Sequence, residues 1–85
     1  MNQGSSQAIK VKLSFNGDLI AIRVPSDIQF RDLYDKIRER LRITNDEIAL
    51  SYNDTSGDRP ALISNNDLDM ALSRNEKLLV YVEQV

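Results

Sequence analysis

Neither cysteine nor histidine occurs in the 85 residues of this chain. The first absence excludes disulfides, a thiolate nucleophile and a cysteine-based zinc site. The second removes the usual general base, and no Ser or Asp stands in a recognisable base or phosphate-loop context. The expectation is therefore a protein without enzymatic activity, cofactor or metal. Asp54 to Asp58 does not make a calcium loop: with Gly57 in the glycine position of an EF-hand, the first ligand would be Tyr52 and the last Ile63.

Long hydrophobic runs are also missing. None approaches the ~20 residues needed to cross a bilayer, and Met1-Asn2-Gln3-Gly4-Ser5-Ser6-Gln7 lacks a signal peptide's apolar stretch. No membrane insertion is expected, and the cysteine-free composition suits a reducing, cytoplasmic setting. Residues 1–7 read as a flexible leader, either a linker remnant or residues left from expression, ahead of one unit of a longer protein.

What is present is 41% hydrophobic and 28% charged, enough for a single core in one small domain over residues 8–85. The net charge of −2 hides an uneven distribution. Residues 1–42 hold eight Lys/Arg against five Asp/Glu, whereas residues 43–85 hold three against eight. A folded unit with a basic side and an acidic side can attract a complementary partner at either one.

Two alternating runs, Ile9–Phe15 and Asp18–Val24, flank Asn16-Gly17. That pair suits a two-residue turn needing positive φ at both positions, so a hairpin is predicted with Phe15 opposite Asp18. Counting back, Ile9, Val11, Leu13, Ile20, Ile22 and Val24 fall on one face. The other carries Lys10 opposite Arg23 and Lys12 opposite Ala21, a cationic patch in which the small neighbour leaves Lys12 most accessible.

Pro25-Ser26-Asp27 ends the hairpin. Phe30, Leu33, Tyr34, Ile37 and Leu41 then recur at helical spacing, with charged residues between them and arginines towards the C-terminal end. Ile48–Tyr52 alternates as a third strand. A polar loop with Gly57 and Pro60 leads to Ala61-Leu62-Ile63, long enough for a short fourth strand. Ser64 and Asp67 have capping-box spacing before a second helix through Leu72, which should end near residues 73–76. Lys77–Glu83 is rich in β-formers and closes the domain. The order ββαββαβ describes an α+β, ubiquitin-like β-grasp: a mixed sheet packed on its first helix.

Within that fold the sequence resembles the Phox-and-Bem domain, a module that pairs with other copies of itself, over Ile9 to Val82. Lys12, in Lys10-Val11-Lys12-Leu13-Ser14-Phe15-Asn16-Gly17-Asp18, matches the family's strand-one lysine and is similar to the hairpin of atypical protein kinase C domains. Tyr52, Asp54, Gly57 and Asp58, then Ser64, Asp67 and Leu68, match its acidic motif. Ser56 and Asn65 replace family carboxylates, for which Asp69 compensates in part. Residues 19–24 and 65–76 also resemble fungal Bem-class polarity scaffolds and Phox-class oxidase regulators.

The resemblance implies a protein–protein interaction module in a signalling or cell-polarity scaffold. It would pair front to back with an acidic-motif domain of the same family, as a heterodimer. Lys12, Lys10 and Arg23 would form the basic contact face, and Asp54, Asp58, Asp67 and Asp69 a weaker acidic one that allows weak head-to-tail self-association. Periodicity alone makes Lys12 a solubilising strand residue, Asp54 and Asp58 turn residues, and Asp67 a helix cap.

Two other classes compete. A β-grasp hairpin could add a strand to a small GTPase, although the ending Glu83-Gln84-Val85 lacks the Gly-Gly of a conjugated modifier. RNA binding fits less well, because the pI near 4.9 and the lack of aromatics on the outward hairpin face oppose a stacking platform. No nucleic acid and no small-molecule substrate are expected.

Overall fold

The computed structural model describes residues 8–54, 56–72 and 77–85. The expected leader, residues 1–7, and the expected end of the second helix lie outside the described residues. Asn16 and Gly17 have φ of 51° and 85°, so both take the left-handed backbone that the two-residue turn requires. The turn joins β1, Ala8–Phe15, to β2, Asp18–Pro25. Their antiparallel register pairs Phe15 with Asp18, Lys12 with Ala21, Lys10 with Arg23 and Ile9 with Val24, as counted from the sequence. Val11, Leu13, Ile22 and Val24 are buried, while Ile9 and Ile20 pack at the margin of the core.

Helix α1, Phe30–Leu41, buries Leu33 and Ile37. It stops because Arg42 turns left-handed, with φ 58° and ψ 38°, and the Ile43 N–H donates back to the Arg38 carbonyl at 2.9 Å. This closure drives Ile43 into the core, where it is buried. Arg38 is half-buried rather than fully solvated: its Nη2 donates to the Thr44 carbonyl at 3.0 Å. The Tyr34 hydroxyl accepts from the Ile48 N–H at 3.2 Å, fastening the helix to the start of β3, Ile48–Tyr52.

Helix α2, Asn65–Leu72, and β4, Lys77–Gln84, complete the chain. The sheet order is β2-β1-β4-β3, with β4 parallel to β1 and antiparallel to β3. The first strand therefore lies inside the sheet. Leu13, Leu33, Ile37, Leu62, Leu68 and Val80 are fully enclosed between the sheet and the helices.

The short strand expected at Ala61-Leu62-Ile63 contracts to one bridge, Ser51 to Ala61, so the regular elements run ββαβαβ. Leu62 donates to the Leu50 carbonyl at 2.8 Å and Tyr52 to the Pro60 carbonyl at 3.1 Å. The ladder stops on one side because Pro60 has no N–H to donate. On the other, a donor further along that edge of β3, the Ile48 N–H, is already taken by the Tyr34 hydroxyl, while the Ile63 N–H faces away from β3 and donates to the Asp67 carboxylate at 3.1 Å.

Candidate partner-binding faces

Lys10 and Lys12 point away from the core because they alternate with buried Val11 and Leu13. Arg23 joins them across the β1–β2 pair, and all three side chains are exposed. Among the described residues none of the three forms an ion pair, so their charges face solvent. Beyond the hairpin, Lys12 is in register with Leu79 of β4, and Ser14 with Tyr81. The outward face of β1 is thus bordered by β4 as well as β2, a neighbour that hairpin counting does not show.

Tyr81 alternates with buried Val80 and Val82, so its ring lies on the same outward face as Lys12. The Arg59 guanidinium sits over that ring, 3.7 Å from its centroid. Asn53 Nδ2 donates to the Tyr81 hydroxyl at 2.8 Å. Residues 53 and 59, at the two ends of the acidic loop, therefore both hold one aromatic side chain of the sheet. Sequence reading placed Arg59 in the polar loop; only the strand order brings it to the sheet face.

The loop between these anchors is built around Asp54. Its Oδ1 accepts from the Ser56 N–H at 3.0 Å, the Ser56 hydroxyl at 2.7 Å and the Asp58 N–H at 3.0 Å. The Ser56 hydroxyl bond is the leading cause that holds the Asp54 carboxyl below its ordinary range, with backbone donors adding to it against some desolvation. Gly57, at φ 92°, supplies the left-handed residue that closes the turn. The Ser56 hydroxyl also lies 3.3 Å from Asp58 Oδ2. The Ser56 hydroxyl, where the resemblance implies a family carboxylate, thus stands between the carboxylates of Asp54 and Asp58 and gives its one proton to the nearer, Asp54.

Asp67 is half-buried and occupied at the start of α2: its N–H donates to Ser64 Oγ at 3.2 Å, and its Oδ2 takes the Ile63 N–H. The shorter Asp reaches the residue before the cap rather than the cap itself. Asp69 is exposed on α2. Among the described residues no hydrogen bond joins Asp67 or Asp69 to the Asp54–Asp58 pair. Asn65, where the resemblance implies a family carboxylate, caps the other helix: the Phe30 N–H donates to its Oδ1 at 2.6 Å, and its Nδ2 donates to Gln29 Oε1 at 3.0 Å. Gln29, at the N-cap of α1, makes no side-chain capping bond of its own.

A family model described as PB1 domain matches residues 8–83. Over 76 residues the chain is 33% identical to protein scd2/ral3 of Schizosaccharomyces pombe, a match that covers 88% of this chain and 14% of that protein's length. The solved AtNBR1-PB1 filament (L-type) superposes with a TM-score of 0.80 at 32% identity, over 94% of this chain and 100% of that one. The C-terminal ubiquitin-like domain of mouse tubulin-specific chaperone e superposes with a TM-score of 0.64 at 18% identity, over 95% and 92% of the two chains, a likeness of fold alone. With an in-register basic hairpin, a helix across the sheet and a clasped acidic loop beneath a match that spans nearly the whole chain, the protein belongs to the PB1 domain family of ubiquitin-like interaction modules.

Proposed function

We propose that this domain pairs front to back with another PB1 domain, presenting Lys12, Lys10 and Arg23 to the partner's acidic motif as part of a cytoplasmic signalling or polarity scaffold. The observation that carries the reading is the hairpin register: three exposed cations, with no ion pair among the described residues, share one sheet face. Each exposed pair contributes only ~0–1 kcal/mol, so affinity arises from several contacts on preorganised strands and falls as salt rises.

Asp54, Asp58, Asp67 and Asp69 form a second, weaker contact surface for a partner's lysine. Bonds within the loop hold Asp54 ionised and in place, whereas Asp67 contributes less because its carboxylate already serves α2. A chain with both surfaces can also add to itself head to tail. The solved filament of the AtNBR1 PB1 domain supports self-assembly as a mode open to this family.

Calorimetry tests the basic face against a PB1 domain that carries the full acidic motif and no strand-one lysine, so that pairing runs one way. Lys12→Ala is expected to weaken binding about 5- to 30-fold, the effect of losing ~1–2 kcal/mol from a charge network. Unchanged affinity would remove the basic face from the interface. For the acidic surface, Asp54→Ala/Asp58→Ala should reduce self-association in sedimentation at high concentration. Equal sedimentation of that variant and the wild type would rule out head-to-tail assembly through the loop.

A further inference from the structure

The outward sheet face continues past the hairpin cations. From Lys12 it crosses half-buried Leu79, reaches Tyr81 two residues further along β4, and ends under Arg59, whose guanidinium lies 3.7 Å from the ring centroid. Two strand residues span about 6.8 Å and neighbouring strands lie about 4.8 Å apart, which separates the Lys12 and Tyr81 backbones by about 8 Å. A single extended segment of a few residues spans that backbone spacing, so one bound partner segment can meet both positive centres. Arg59 is exposed and forms no ion pair among the described residues.

We infer that Arg59, held on Tyr81, is a further partner-contacting residue of the basic face, extending it across β4 to engage a second carboxylate of the partner's acidic segment. The inference rests on the front-to-back reading of Lys12 and adds a residue to it. The occupant follows from the chemistry of the strip. A cation at each end selects two carboxylates, and Leu79 between them offers an apolar floor for the side chain that separates those carboxylates. A guanidinium over an aromatic face keeps its edge N–H groups free, so Arg59 can grip a carboxylate with two parallel hydrogen bonds.

Arg59 also has a specificity role. It directly follows Asp58, so the acidic loop ends in a cation that lies over Tyr81, on the face that carries Lys12. A partner segment with a single carboxylate would fill only the Lys12 end, and one with two would fill both.

The test uses the same acidic PB1 probe in calorimetry at low and physiological salt, with Arg59→Ala, Arg59→Glu, Arg59→Lys and Lys12→Ala, each checked for an unchanged melting temperature. Arg59→Ala should weaken binding about three- to fivefold, as for one exposed charged contact, and flatten the salt dependence. Arg59→Glu should weaken it about tenfold or more, because the reversed charge repels the carboxylate it replaces a partner for. Arg59→Lys should fall between Ala and wild type, since the ammonium keeps charge without the planar fork. If Lys12→Ala weakens binding while Arg59→Glu binds as wild type does, the front-to-back reading stands and the Arg59 inference is overturned. If Arg59→Glu weakens binding and Lys12→Ala does not, Arg59 remains a contact residue and the hairpin reading fails. Wild-type affinity for both variants overturns both.

Discussion

Replacing Asn65 by alanine removes the side chain that joins the N-termini of the two helices. The Phe30 N–H loses its acceptor at 2.6 Å and Gln29 Oε1 its donor at 3.0 Å. Truncating a capping side chain costs ~0.5–2 kcal/mol, and water can reach both groups here because the site is exposed. The expected loss is therefore about 1 kcal/mol, which lowers the melting temperature by roughly 4–8 °C in a domain of this size. Asn65→Asp puts a carboxylate at this position and should behave differently. It keeps the acceptor, places negative charge at the positive end of α1 for about 0.3–1 kcal/mol, and lets the Gln29 amide rotate to donate instead. Urea denaturation of both variants, with neighbouring exposed Asn66→Ala as control, reads the difference at constant slope. Stability of Asn65→Ala equal to that of Asn66→Ala would refute the interhelical cap.

Tyr34→Phe deletes the hydroxyl that bonds the Ile48 N–H and should cost about 1 kcal/mol, measurable by the same denaturation. Arg42→Gly relieves a left-handed residue at the C-terminus of α1 and should stabilise the domain by roughly 0.5–1 kcal/mol; an unchanged or lower melting temperature would contradict the strain assigned there. Because its hydrogen bonds hold the Asp54 carboxyl below the ordinary carboxylate range in the folded state, its contribution to stability is present above the unfolded value and is lost as pH falls through the lower folded one. Ser56→Ala should raise the Asp54 midpoint in an NMR titration and flatten the acid limb of the stability curve; a midpoint unmoved by the substitution would contradict the hydroxyl's role.

Much of this fold is legible in short stretches. Asn16-Gly17 sets the turn, and the turn sets every pairing in the hairpin, since a one-residue slip would bury Lys10 and Lys12 and expose Val11 and Leu13. The spacing of Phe30, Leu33, Tyr34, Ile37 and Leu41 is enough to place α1. The overextended expectation is Ala61–Ile63, where β-propensity and pattern say strand but two donors that a longer ladder needs are missing: Pro60 has no N–H, and the Tyr34 hydroxyl takes the Ile48 N–H. Such competition between a backbone donor and a distant side chain is not visible in periodicity.

By itself, then, the sequence determined which residues face the core, where the cations of the hairpin line up and which loop carries the carboxylates, because each of these follows from local backbone geometry and a repeat of two or of 3.6 residues. Tertiary structure alone decided three things. It inserted β4 between β1 and β3, it set Arg59 on Tyr81 within reach of the Lys12 strip, and it gave Asn65 to the cap of a helix 35 residues away. All three depend on which non-local surfaces meet when the apolar face of the sheet is covered. That choice is made by the packing of the whole chain and leaves no periodic trace in any one segment.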